Sequence, residues 1–343
     1  MKSRAALLTE YGKPLSMGDI EIPDPVGEAV ILKVEGAGVC RTDLRIWRGV
    51  EARPGFKLPI VLGHENAGRV YAVGDSVVGL KEGDPVIVYA TWGDLSCRYC
   101  REGRYSLCKN QVIPGQNTNG GFSEYMYVPS YRWLVKLGSL SPKDAAPLAD
   151  AGTTSMGAVR SAIPYFSKHS DALVLLNGIG GLAIYLIQIL KSLFNVTVVA
   201  ISRKEEHREL ARKLGADYAI ELKELEDLVK RVRPEGASVA IDLVGTPESV
   251  STLTSALSPG GATVVVGMEG RKVEAVNFDL VVWDKAIVGS NYGTINDLND
   301  VVKLTEAGKV RSIITQYSLD DVNSALSSLD SGEVSSRLVI TPK

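Results

Sequence analysis

Three thiols lie close together in Cys97-x2-Cys100-x7-Cys108, and Asp94 stands three residues before the first of them. CxxC spacing lets two thiolates reach one metal ion from a single turn, and a structural zinc wants four donors in a tetrahedron. Asp94, Cys97, Cys100 and Cys108 can supply all four, because a carboxylate oxygen also binds zinc. Two other readings stay open here: a redox CxxC, or thiols that bind nothing. A redox pair prefers a helix N-terminus beside a βαβ pattern. This one lies in a loop-like stretch among Arg98, Arg101 and Arg104.

A second signal is the turn Asn177-Gly178-Ile179-Gly180-Gly181-Leu182-Ala183, which fits G-x-G-x-x-G/A. Gly178 permits the tight turn, and Gly180 lets backbone approach a pyrophosphate. Ala183 lets helix and strand pack closely. Gly181 and Leu182 open a helix whose N-terminus faces the anion. An acid at the end of the next strand would accept from a ribose 2′-hydroxyl and favour NAD(H). Ser202, Arg203 and Lys204 stand there instead. Two cations and no carboxylate suit a 2′-phosphate, so NADP(H) is expected, with NAD(H) possible.

Cys40 and His64 are less telling alone. A single His is commonly a hydrogen-bonded core residue, and a lone Cys a small buried hydrophobe.

The elements that must carry these groups fall into two textures. The first ~140 residues read as short strands, such as 29–34, 86–89 and 125–128, between Gly and Pro clusters. Ser141-Pro142-Lys143-Asp144 then gives a helix start. A small-residue helix is expected over 145–162, with a break at Pro147. Beyond it strands and helices alternate. Strands are expected over 172–176, 196–201, 218–220, 239–243, 263–266 and 286–288, and helices over 182–193 and 205–214. Gly215 caps the latter. That alternation implies βαβ units and a doubly wound parallel sheet. A helix over 296–307 and a strand over 337–340 close the chain, and the tail can return to the first lobe.

Composition bounds the rest. A chain of 343 residues is long enough for two domains. With 38 basic and 40 acidic residues mixed along it, no basic stripe points to nucleic acid. The N-terminus lacks a secretory signal, so a reducing, cytoplasmic setting is expected. The uncharged run 172–190 is long enough to imitate a membrane span. Its glycines, and the strand and helix signals around it, argue against one.

The run Gly63-His64-Glu65-x2-Gly68-x5-Gly74-x2-Val77, with Cys40-Arg41-Thr42-Asp43 and the cysteine lobe and glycine turn in order, extends over the chain. On these motifs it resembles the zinc-dependent alcohol dehydrogenases of the medium-chain dehydrogenase/reductase superfamily, closest to archaeal and bacterial members. Val288-Gly289-Ser290 and Glu306-Ala307-Gly308-Lys309 fit the same family. The resemblance implies a β-rich GroES-like catalytic domain over 1–149 and 290–343. It implies a Rossmann dinucleotide-binding domain over 150–289. It implies two zincs per chain, the structural one and a catalytic one on Cys40, His64 and Asp150. Asp150 takes a position that is Cys in many members. Glu65 is the fourth ligand at rest. Thr42 takes the alcohol proton, and where several relatives continue the relay with His, this chain has Arg45. Asp43 orients His64 or caps its own turn. Arg41 and Arg337 match pyrophosphate-contacting positions, and Ile46, Trp47 and Trp92 fall near substrate-pocket positions.

The implied activity is reversible hydride transfer between an alcohol and NADP(H), giving an aldehyde or ketone, by a homotetramer or homodimer. A polyol or sugar dehydrogenase of the same superfamily is the alternative. From another class, a zinc-stabilised binding or sensor protein with a vestigial dehydrogenase fold is the rival; an intact Cys40, His64, Glu65 and Asp150 set argues against it.

Overall fold

The computed structural model describes residues 1–50, 53–166, 171–332 and 334–342. The chain forms two compact units. The first comprises Met1–Thr153, Thr294–Glu306 and Ser312–Lys343; the second comprises Thr154–Gly293 and Ala307–Arg311. Asp150 thus belongs to the first unit, and Ala307–Arg311 to the second.

The first unit is built on the long strand Val30–Val39, buried along nearly all its length. It pairs antiparallel with Glu65–Val73, placing Gly38 opposite Glu65 and Ala37 opposite Asn66. Tyr125–Val128 also pairs with it. The tail does return: Arg337–Thr341 lies antiparallel to Val30–Val39, with Leu338 opposite Val39. Ile314–Ser318, not anticipated from sequence, pairs parallel to that tail strand at the sheet end. Its five residues are at most half-buried, so no apolar run marked it.

Two local features matter for the site, one unexpected and one the expected break at Pro147. The β-rich lobe contains a seven-residue helix, Arg41–Trp47, too short to show a period in sequence. The helix expected over 145–162 is broken into Pro142–Ala145, a 3₁₀ turn Ala146–Ala149 and the helix Ala151–Phe166. Pro147 withholds an N–H from the ladder. The break leaves Asp150 at the junction.

The second unit is a six-stranded parallel sheet. Its order is Tyr218–Ile220, Thr197–Ile201, Leu173–Asn177, Ala237–Asp242, Leu257–Val265, Ala286–Gly289. Numbered along the chain this is 3-2-1-4-5-6, the Rossmann order. Leu173–Asn177 and Ala237–Asp242 are buried at every residue, as expected for strands covered on both faces. Leu173, Leu175, Val199 and Ile201 pack with Leu225, Leu228 and Leu253. The last three come from helices Leu225–Val232 and Pro247–Ser255, which the sequence reading had not separated from loop. The run 172–190 resolves into a strand, a turn and the helix Gly181–Leu193. Among the described residues no helix is long and apolar enough to cross a membrane.

Candidate active site

The helix Arg41–Trp47 and the strand Glu65–Val73 bring Cys40 and His64 together, and the broken helix adds Asp150. Cys40, His64, Glu65 and Asp150 are buried, and each offers a ligand atom within 4.8 Å of the others. Cys40 Sγ lies 3.7 Å from Asp150 Oδ2, and His64 Nε2 lies 3.4 Å from the same oxygen. A zinc tetrahedron with bonds of 2.0–2.3 Å has edges of about 3.3–3.8 Å. The donor set and its spacing therefore fit a zinc ion, with one sulfur, one imidazole nitrogen and two carboxylates.

Asp43 fixes this arrangement from behind. Its Oδ2 accepts from the Cys40 backbone N–H at 2.8 Å. Its Oδ1 accepts from Gly63 N at 3.3 Å and lies 3.3 Å from His64 Nδ1. A proton on Nδ1 thus faces Asp43 and leaves the Nε2 lone pair for the metal. Asp43 thus caps its own turn and sets a carboxylate oxygen beside the imidazole.

Glu65 is fully buried, and its carboxylate pairs with the Arg337 guanidinium. Burial pushes its pKa up to about 7, with Arg337 pulling the other way. Gly38 makes room for it: a Cβ at Gly38 would lie 2.8 Å from Glu65 Cβ and collide with its carboxylate. Arg337, expected at a pyrophosphate, is only 5% exposed and held against Glu65. A cation opening an apolar strand was its only sequence signal. Its partner lies 272 positions away.

Arg41 is exposed at the start of its helix, and Thr42 and Arg45 are half-buried. Ile46 is buried. Trp92 donates from Nε1 to the Tyr89 carbonyl at 2.8 Å, and Trp47 to the Lys13 carbonyl at 2.6 Å. Each indole N–H thus has a backbone acceptor.

The cysteine lobe also converges: Asp94, Cys97, Cys100 and Cys108 present ligand atoms within 4.8 Å of one another. Cys97 and Cys100 sulfurs are 3.5 Å apart, and Cys100 Sγ is 3.4 Å from Asp94 Oδ1. These are again tetrahedral edges. Asp94 Oδ1 accepts from Ser96 N at 2.9 Å and Cys97 N at 3.0 Å, and Oδ2 from Asn110 Nδ2 at 2.8 Å. The backbone N–H of Ser96, then that of Cys97, holds this carboxyl far below the usual carboxylate range. The Cys100 backbone N–H lowers the Cys97 thiol, while burial pushes Cys100 up to about 12. Contrary to the loop expected there, Cys97 caps and Cys100 lies within a helix, though one of only four residues, Arg98–Arg101. A redox pair has no need of a carboxylate and a third sulfur at this spacing.

The glycine turn stands at the carboxyl end of Leu173–Asn177, at the switch point of the sheet. Gly178 has φ +91°, a region a side chain resists. A Cβ on Gly180 would meet nothing within 4 Å, so a ligand can approach its backbone. Gly180 caps the helix beginning at Gly181 and Leu182. Sequence reasoning missed the clip beneath. Asp242, fully buried, accepts from Asn177 Nδ2 at 2.8 Å, Val244 N at 2.9 Å and Ser249 Oγ at 2.6 Å. A lone acid ending the apolar run 239–242 was the available signal. Ser202 is half-buried, and Arg203 and Lys204 are exposed at the end of Thr197–Ile201.

Residues 27–139 match the family described as "Alcohol dehydrogenase GroES-like domain", and residues 179–307 match "Zinc-binding dehydrogenase". The D-arabinose 1-dehydrogenase (NADP(+)) of Saccharolobus solfataricus is 58% identical over 344 residues, covering 100% of this chain and 98% of that protein. An NAD-dependent alcohol dehydrogenase of Sulfurisphaera tokodaii is 37% identical, covering 99% of this chain and 100% of its own. The crystal structure of the D-arabinose dehydrogenase from Sulfolobus solfataricus superimposes with TM-score 0.91 at 55% identity, covering 100% of both chains. The Aeropyrum pernix alcohol dehydrogenase structure gives 0.90 at 36%, covering 99% of this chain and 100% of that one. The likeness runs the length of the chain, and the chain belongs to the zinc-dependent alcohol dehydrogenases of the medium-chain dehydrogenase/reductase superfamily, oxidoreductases that move hydride between an alcohol and a nicotinamide dinucleotide.

Proposed function

We propose that the protein is an NADP(H)-preferring, zinc-dependent dehydrogenase with two zincs per chain. One is catalytic, on Cys40, His64, Asp150 and Glu65, and one is structural, on Asp94, Cys97, Cys100 and Cys108. The convergence of the four buried donors beside Asp43 carries the reading.

When bound, the catalytic zinc supplies a Lewis acid that makes an alcohol acidic near neutrality and polarises a carbonyl in the reverse direction. A nicotinamide dinucleotide bound at the glycine turn would supply the hydride chemistry. The chain's residues supply position and proton handling. Cys40, His64 and Asp150 are the lasting ligands. Glu65 is the ligand that yields to substrate, and Arg337 holds its carboxylate meanwhile. Thr42 Oγ1 accepts the alcohol proton. Arg45, where several relatives have a relay His, cannot carry it onward because its guanidinium stays protonated. The proton therefore leaves Thr42 for water or for a ribose hydroxyl. Gly178, Gly180, Gly181 and Leu182 cradle the pyrophosphate. Ser202, Arg203 and Lys204 read the 2′-phosphate. Arg41 can meet a phosphate from its exposed position at the helix start, whereas Arg337 can do so only by sharing its contact with Glu65.

A sugar substrate is favoured within this reading by the relative named D-arabinose 1-dehydrogenase. The hemiacetal hydroxyl of an aldose is an alcohol, and its oxidation is the same hydride transfer. Activity at 340 nm against aldoses and simple primary and secondary alcohols, with each cofactor, tests both statements. Higher kcat/KM with NAD than with NADP would overturn the cofactor assignment.

Assembly into a homotetramer or homodimer is supported by Val276, Phe278, Val281 and Trp283, which are 44–80% exposed. They lie near the sheet's end strand Ala286–Gly289. Four exposed large apolar side chains within eight residues suit a subunit contact, and light scattering tests it. The thiols that would hold metal must stay reduced, which supports a cytoplasmic setting. The catalytic domain, expected over 1–149 with 290–343, and the dinucleotide-binding domain, expected over 150–289, are proposed to correspond to the two units, with Asp150 and 307–311 reassigned as the units divide them.

A further inference from the structure

The carboxyl end of Thr197–Ile201 meets a cation that lies outside the Ser202-Arg203-Lys204 run. Arg208, in the helix Glu205–Lys213, folds back onto the loop that precedes its own helix. Its Nη1 donates to the carbonyls of Ser202 at 2.8 Å and Arg203 at 3.0 Å. Its Nε donates to Glu205 Oε2 at 3.0 Å, and Nη2 pairs with the same oxygen. Glu221 Oε1, just past the strand Tyr218–Ile220, lies 3.7 Å from Nη1. The Arg208 side chain is only 12% exposed, whereas that of Lys204 is 43% exposed with Nζ 4.0 Å from Glu206.

We propose that Arg208 is a positioning residue that makes the enzyme select a dinucleotide carrying a 2′-phosphate. This rests on the NADP(H) reading above. Two effects act together. The guanidinium ties down both carbonyls of the loop, which fixes the backbone that presents the Ser202 hydroxyl and the Arg203 side chain. It also neutralises Glu205. An acid in the first turn stabilises the helix through its dipole. Two residues from Arg203, however, a bare carboxylate would repel a phosphate. Arg212 Nη1 assists from 3.1 Å, and Lys223 Nζ lies 2.9 Å from Glu221. Glu205 and Glu221 are thereby answered by cations other than Arg203, as Glu206 is by Lys204, and the Arg203 charge is left for the ligand. An arginine does this better than a lysine, because its planar fork bonds several acceptors at once.

The test uses the full-length enzyme as wild type, R208Q, R208K, E205Q/R208Q and R203S. Calorimetric titration with 2′,5′-ADP and with 5′-AMP reads the phosphate directly, and steady-state kinetics with NADP+ and NAD+ read its consequence. R208Q should weaken 2′,5′-ADP by about tenfold or more, the worth of a charge-assisted contact, while 5′-AMP stays within about twofold. KM for NADP+ should rise with kcat unchanged. R208K should recover only part of the loss, and E205Q/R208Q should recover the electrostatic share. If R208Q does not fold, the double variant, which leaves no unpaired acid at 205, carries the comparison. Equal loss for both nucleotides, or no loss for either, overturns the role of Arg208. R203S separates the two claims. If it loses 2′,5′-ADP while R208Q does not, only the Arg208 inference fails. If wild type binds 2′,5′-ADP no better than 5′-AMP, the NADP(H) reading itself fails.

Discussion

Glu65 and Arg337, 272 positions apart in the chain, share an ion pair that is almost wholly removed from water. Glu65 Oε1 takes the guanidinium, while Oε2 has no hydrogen-bond partner among the described residues. The same carboxylate contributes a ligand atom to the cluster with Cys40, His64 and Asp150. The carboxylate is therefore shared between a fixed cation and the candidate metal cluster, an arrangement that suits the exchangeable ligand proposed above.

Removing one partner should expose the cost of that burial. Arg337→Met should destabilise the protein by about 3–5 kcal/mol, because it leaves a buried carboxylate without its cation. Glu65→Gln in the same chain should restore most of it. Urea unfolding of the single and double variants checks this, and a single variant as stable as wild type would sink it.

The two metal sets should empty independently. Asp150→Ala is expected to drop zinc content from two per chain to one and abolish turnover. Asp94→Ala is expected to lose the other zinc, keep turnover at moderate temperature and lower Tm. Elemental analysis beside activity reads both. One zinc in the wild type would refute the two-site assignment.

Asp43→Asn should keep the turn but weaken the hold on His64. A lost carboxylate partner behind a ligating imidazole typically costs about 10–100-fold in metal affinity. Chelator competition should show that loss while the structural zinc stays bound. An unchanged affinity would reduce Asp43 to a cap.

Thr42→Val should lower kcat by about 10²-fold or more, the usual worth of a positioned proton acceptor. Thr42→Ser should retain most activity, and neither should change zinc content. An unaltered kcat in the valine variant would remove Thr42 from the proton path.

Much of this site was legible because its signals are local. Cys97, Cys100, Cys108 and Asp94 lie within one short stretch, and the Gly63–Val77 run carries its own spacing. Asp150 had no local signal, since Ala149-Asp150-Ala151 reads like any helix junction, and only the family resemblance singled it out. The clip from Asp242 to Asn177 and the Glu65–Arg337 pair depend on strands meeting across the sheet, which spacing does not encode. The helix Leu225–Val232 did carry a period, in Leu225, Leu228, Val229 and Val232, hidden among charges. Ile314–Ser318 is a polar strand at the sheet end, so it left no hydrophobic trace. Arg208 carries no signal beyond its place in the helix expected over 205–214, because nothing in a sequence tells which way an arginine on a helix turns.

The two aspartates also decide what oxidation can do to the molecule. Cys97 and Cys100 hold their sulfurs 3.5 Å apart, so loss of two electrons can join them as a disulfide. In the other cluster Cys40 brings the sole sulfur, with His64, Glu65 and Asp150 as its companions. A carboxylate at 150 gives Cys40 no thiol within its own set to bond with. On the proposed assignment, disulfide damage by a mild oxidant would therefore fall on the structural lobe and spare the catalytic centre.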